Sequence, residues 1–121
     1  MHLEADVSSL GEARRFVSRT LREWHVDESR IEPAQLVATE LVANAIVHAC
    51  SAPVLSLVAV GSELVLRVAD GSRDRPVARE ATTDAAGGRG LLMVEALGDR
   101  WGVDEDGSGK AVWVAFADAF R

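Results

Sequence analysis

Glu40, Asn44 and His48 fall four residues apart in an otherwise apolar stretch, 33–49. In a helix, each four-residue step turns about 40° past a full turn, so the three form one slowly drifting polar line. The rest of this helix is apolar almost all round, which predicts cover on most sides. A carboxylate, an amide and an imidazole in that setting need partners, because unpaired burial is costly. One arrangement is a solvent-facing stripe with ordinary i, i+4 hydrogen bonds; the other is the border of a polar cleft. In a cleft, the Asn44 carbonyl can be one oxygen ligand of a Mg²⁺ whose other ligands are phosphate oxygens and water. Glu40, one turn earlier, can orient or deprotonate an attacking hydroxyl. His48 joins the line as a binding candidate, although a single histidine in such a place is more often structural than catalytic.

A second carboxylate stands at the end of a strand. In the run 64–70, alternation puts Leu64, Leu66, Val68 and Asp70 on one face, and three of these are apolar. Asp70 therefore points where a carboxylate needs a donor. Gly71 and Ser72 follow, which allows backbone or a ligand to approach closely. The segment fits an Asx-turn that ends the strand. It equally fits a carboxylate accepting from a flat, amine-bearing ligand such as adenine, whose sites are mostly apolar with a few placed polar groups.

The third element is Gly87-Gly88-Arg89-Gly90, placed before an apolar helical run. Exposed N–H groups at a helix start attract anions, and Arg89 adds a charge-assisted donor, so a phosphate chain fits here. A simple loop-to-helix hinge has the same appearance. The Rossmann spacing is not met, and the Walker lysine is absent because Lys110 precedes a strand.

These groups need a scaffold. Ser8 and Ser9 are N-cap candidates, with Glu12 three residues past Ser9 in capping-box spacing, for a first helix that carries Leu10, Ala13, Phe16, Val17 and Leu21. Asp27-Glu28-Ser29 reads as a connector, and Pro33 as the start of the second helix. Two strands, Val54–Val60 and 64–69, flank Gly61-Ser62, a hairpin signal. Residues 71–87 lack a period and read as a functional loop. A third helix is expected near 88–97, then strands near 100–104 and 111–117. Residues 3–6 suit a short edge strand. The simplest architecture is an α+β two-layer sandwich, with a largely antiparallel sheet and helices packed on one face.

Composition narrows the function. The 121 residues suit one domain, and 48% hydrophobic with 26% charged residues marks a globular chain. A net charge of −6 argues against a dedicated nucleic-acid binder. Lys110 is the only lysine, a bias toward arginine given little functional weight. One cysteine, Cys50, excludes an intrachain disulfide and suits a reducing, cytoplasmic setting, where it packs as a small residue. No apolar run reaches the ~20 residues of a membrane span, and the acidic N-terminal residues lack the features of a signal peptide.

In order and spacing these pieces resemble the Bergerat-fold (GHKL) ATPases. Glu40-Leu41-Val42-Ala43-Asn44-Ala45 with His48 is similar to that family's N box. Val68-Ala69-Asp70-Gly71-Ser72 is similar to its first glycine box, and Gly88-Arg89-Gly90-Leu91 to its second. The stretches 94–102 and 109–113 resemble the end of the domain in bacterial anti-sigma-factor serine/threonine kinases, so the likeness covers nearly the whole chain as one 1–121 domain. The resemblance implies a mixed sheet with helices on one face, and ATP with Mg²⁺ as cofactors. It implies Glu40 as the catalytic carboxylate, Asn44 as the Mg²⁺ ligand and Asp70 as the adenine-binding aspartate. His48 and Ser72 would join the nucleotide site, Gly88, Arg89 and Gly90 would lie beside the phosphates, and 73–87 would form a short lid. It also implies a sigma factor and a STAS-domain anti-anti-sigma protein as partners, the latter as phosphorylation substrate, and a homodimer in many members. The alternative is a nucleotide- or partner-binding module without phosphotransfer. Two positions depart from the pattern: Ser72 stands where the wider family commonly has Gly, and Ala111 where relatives often have Thr, which implies a missing hydroxyl near the base.

Overall fold

The computed structural model describes residues 1–121 apart from 5, 7, 50, 51, 71–93, 95, 107, 108 and 121, and it leaves the side chains of residues 48, 49 and 106 undescribed. Helix α1 spans Ser9–Glu23 and buries Ala13, Val17 and Leu21, with Leu10 and Phe16 packed against the same core. The capping box does not form. Ser8 makes no side-chain cap. Ser9 is instead a buried helical residue whose hydroxyl donates to the Glu4 carbonyl at 2.7 Å. At its other end α1 closes in a Schellman pattern: His25 takes φ 60°, while the amides of His25 and Val26 donate to the carbonyls of Arg22 and Leu21.

Helix α2 spans Glu28–Asn44, so it starts earlier than Pro33. The residues expected to be a connector are its cap. Asp27 Oδ1 accepts from the Ser29 amide at 2.9 Å and the Ser29 hydroxyl at 2.7 Å. That cap fills otherwise unpaired N–H groups, and the helix tolerates Pro33 inside it. Ile31, Ala34, Val37, Ala38, Leu41 and Val42 form its buried stripe. The opposite side is open, with Leu36 and Val47 exposed, so the helix is covered on fewer sides than its composition suggests. Among the described residues, no helix is long and apolar enough to cross a membrane.

Strands β1 (Val54–Val60), β2 (Glu63–Asp70), β3 (Arg100–Asp106) and β4 (Gly109–Phe116) form a sheet in the order β1-β2-β4-β3, with every described pairing antiparallel. The β1–β2 hairpin turns at Gly61, where φ +61° favours a residue without Cβ. The edge strand expected at 3–6 does not form among its described residues; instead His2 makes a single bridge to Val54 and the Leu3 amide donates to the Pro53 carbonyl at 2.9 Å beside β1. Of the expected third helix, Val94, Ala96 and Leu97 are helical, and the remainder lies outside the described residues.

Period-two alternation gives the sheet two different faces. Leu55, Leu64, Leu66, Val68, Val114 and Phe116 are buried on the helix side with the α1 and α2 stripes. The other face carries Val58, Val60, Arg67 and Trp113. There Arg100 lies 5.7 Å from the Trp113 ring, and Gly102 leaves room for that indole. Burial of one face alone sets the register, since a one-residue slip would expose the core set.

Candidate functional site

Asp70 is the last residue of β2, and its ladder partner is Lys110, the second residue of β4. Both follow the parity of Val68 and Val112, so both belong to the helix-side face. Their side chains are only 5% and 9% exposed, and Lys110 Nζ lies 3.9 Å from Asp70 Oδ2. That is an ion pair beyond ordinary hydrogen-bond length. The carboxylate expected to face inward is therefore inside, beside a cation.

Chain connectivity leads from α2 toward β1. The last residue of α2, Asn44, leads directly into a π-helical turn, Ala45–Ala49. Both α2 and this turn pack on β2. From Ala49 to Val54 is five peptide steps, at most roughly 18 Å, and Val54 pairs with Ala69, the neighbour of Asp70. Glu40 and Asn44 are half-buried on the flank of the buried stripe, neither on the open side with Leu36 nor fully enclosed. Glu40 has a polar partner of its own. In the π-turn hydrogen bonds run i→i+5, so the four-residue step to His48 no longer follows the helical line; such turns recur at functional sites.

Several expected site residues, namely Ser72, Gly88, Arg89 and Gly90, lie outside the described residues, as do the 73–87 stretch and Cys50. The structure places Asp70 at the end of β2 beside Lys110 and packs α2 and the π-turn after Asn44 on β2, while the glycine-rich turn lies outside the described residues. Position 111 requires a correction. Ala111 pairs with Ala69 and faces away from the helices, so its side chain is not the group beside Asp70. Lys110 is that group. Sequence reasoning gave it little weight; its being the only lysine, two residues before the strand's apolar run, was the available signal.

A depression of about 260 Å³ opens at this end, lined by Arg67, Ala69, Asp104 and Ala111 with Asp70, Glu105, Gly109 and Lys110 around it. Arg67, Ala69, Asp104 and Ala111 share the sheet face away from the helices, and the volume is below the roughly 300 Å³ of ordinary ligand pockets. Among the described residues, no three His, Cys, Asp or Glu side chains converge on a metal position. A Mg²⁺ held largely by phosphate oxygens and water needs no such cluster, and one amide oxygen suffices from the protein.

Comparisons with known proteins agree with this fold. The family model described as "Histidine kinase-like ATPase domain" matches residues 3–116. A solved histidine kinase domain, from the blue-light activated histidine kinase of Erythrobacter litoralis EL346, superimposes with a TM-score of 0.57 at 18% identity. The match covers 94% of this chain and 61% of that one, so the chain spans less than two-thirds of that structure, and the likeness is one of fold. No curated protein matches the chain. Matched over nearly its whole length, the chain belongs to the family of histidine kinase-like ATPase domains, which bind ATP, generally with Mg²⁺.

Proposed function

We propose that this protein is an ATP-binding regulator of the anti-sigma-factor kinase type: it binds a sigma factor and phosphorylates a serine or threonine of a STAS-domain anti-anti-sigma partner. The observation that carries the nucleotide part is the enclosed Asp70 carboxylate at the end of β2, the strand on which α2 and the turn after Asn44 pack. Asp70 accepts from the exocyclic amine of adenine. Asn44 supplies an oxygen to Mg²⁺, and the glycine turn with Arg89 meets the phosphates. His48 and Ser72 border the same nucleotide.

Mg²⁺, when bound, neutralises charge on the phosphates during transfer. The residues of this chain do the positioning. Glu40, one turn before Asn44, takes the proton of the acceptor hydroxyl or orients that hydroxyl. Phosphoryl transfer depends mainly on alignment and electrostatics, so this small group of residues is chemically sufficient. The sigma factor, the STAS partner, transfer itself, a cytoplasmic location and a homodimer belong to this reading through the sequence resemblance.

Calorimetry with ATP, with and without Mg²⁺, tests the binding; labelled-phosphate transfer to STAS-domain proteins tests the activity. Asn44→Ala is expected to weaken Mg-ATP binding by about tenfold, the worth of one good polar contact, and to affect Mg²⁺-free binding far less. Glu40→Ala is expected to reduce transfer by about 10²-fold or more, a usual general-base effect, with binding within about twofold. Equal transfer rates in Glu40→Ala and wild type would remove Glu40 from the chemistry. ATP binding with no transfer to any STAS protein would favour a regulatory module without phosphotransfer.

A further inference from the structure

The nucleotide reading assigns one protein group, Asp70, to the base. The structure places a second beside it. Lys110 lies directly across the ladder from Asp70, on the same face, with its ammonium 3.9 Å from the carboxylate and its side chain 9% exposed. An ammonium has three donors. At 3.9 Å, beyond direct hydrogen-bond length, the two heads stand side by side on one face. The enclosed arrangement is therefore an acceptor next to a donor.

The edge of adenine is complementary to that arrangement. Its exocyclic amine donates, and the adjacent ring nitrogen N1 accepts. Resting on the nucleotide reading above, we infer that Lys110 is a specificity-determining residue that donates to adenine N1 while Asp70 accepts from the amine. Both hydrogen bonds are charge-assisted. Because both heads are shielded from water, an analogue that cannot form one of these two hydrogen bonds is rejected more strongly than at a surface site. Position 111 faces the opposite side of the sheet, so the polar group on this stretch of β4 that can meet the base is Lys110.

Calorimetry with three nucleotides decides the matter: ATP, 1-deaza-ATP, in which N1 is replaced by C–H, and the triphosphate of purine riboside, which lacks the amine. The wild type is expected to bind 1-deaza-ATP about tenfold or more weakly than ATP, the worth of a hydrogen bond to a charged group. Lys110→Met keeps the length of the side chain and removes the donor. In that variant ATP should bind no better than 1-deaza-ATP, to within about twofold, while the amine-lacking analogue remains discriminated through Asp70. Lys110→Arg should restore part of the N1 discrimination.

Two results would overturn the inference alone. One is wild-type protein that binds ATP and 1-deaza-ATP equally, a test that needs no variant to fold. The other is Lys110→Met weakening both nucleotides by the same factor, which would mean that Lys110 acts only on the charge of Asp70. Wild-type protein that binds none of the three would overturn the nucleotide reading and this inference with it.

Discussion

The two ends of the sheet each carry an ion pair, Asp70–Lys110 between the central strands β2 and β4 and Glu63–Arg100 between β2 and the edge strand β3, and the pairs have opposite characters. At the end where β2 finishes, Asp70 and Lys110 are 5% and 9% exposed and 3.9 Å apart. At the other end, Glu63 and Arg100 meet at 2.6 Å with side chains 26% and 58% exposed. The shorter pair is the wetter one. That end is held by other means: Ala119 donates its amide to Ser62, Asp27 donates its amide to Ala119, and the Asp99 carboxylate accepts from the Ala117 amide at 2.7 Å. Beneath these contacts Leu64 and Phe116 are fully buried. Charges there decorate an already closed structure. At the Asp70 end, charges are held inside, where breaking a pair is costly. The contrast separates an end closed by backbone contacts with a solvent-screened ion pair from an end that encloses its charges, the end to which the proposed function assigns the base.

The sharpest way to break this contrast is Asp70→Ala. It leaves the Lys110 ammonium enclosed beside an apolar residue, and removing one partner of a buried pair costs about 3 kcal/mol. The urea midpoint should fall accordingly, and ATP binding by calorimetry should be lost. An unchanged midpoint would mean that the ammonium finds water freely, and the two ends would then be alike. A smaller effect is expected from Asp27→Ala, which removes the α2 cap while the backbone contact to Ala119 stays available. It should lower stability by about 1 kcal/mol, with ATP affinity unchanged; a loss of affinity would couple the closed end to the site. The smallest effect is assigned to Arg100→Ala. Its pair with Glu63 is solvent-screened, so the change in stability should be about 0.5 kcal/mol and should shrink further in high salt. A loss near that of Asp70→Ala would show that the exposed pair also carries the fold.

Much of the scaffold was legible beforehand because local pattern and tertiary demand coincide there. Alternation in 64–70 placed Leu64, Leu66 and Val68 inside with Asp70 beyond them, and the Gly61-Ser62 signal marked the turn between β1 and β2. The α1 stripe followed from its spacing. Local pattern failed at the helix starts. Ser9 and Glu12 had capping-box spacing, yet the chain before α1 claims the Ser9 hydroxyl. Pro33 suggested a start, yet the Asp27 carboxylate had already nucleated α2 a turn and a half earlier. Each failure has the same origin: a cap is decided by which polar group reaches the free amides first, and that depends on segments packed from elsewhere in the chain.

By itself the sequence determined which residues are chemically able to handle a nucleotide, namely Glu40, Asn44, Asp70 and the glycine turn, and it determined the faces of the strands, because side-chain alternation is a local property of an extended backbone. Only the tertiary structure decided that Lys110 stands beside Asp70 and that Ala111 turns away from it. Register between β2 and β4 is settled by packing an entire face against the helices, over strands forty residues apart in the chain, and no local pattern contains that choice.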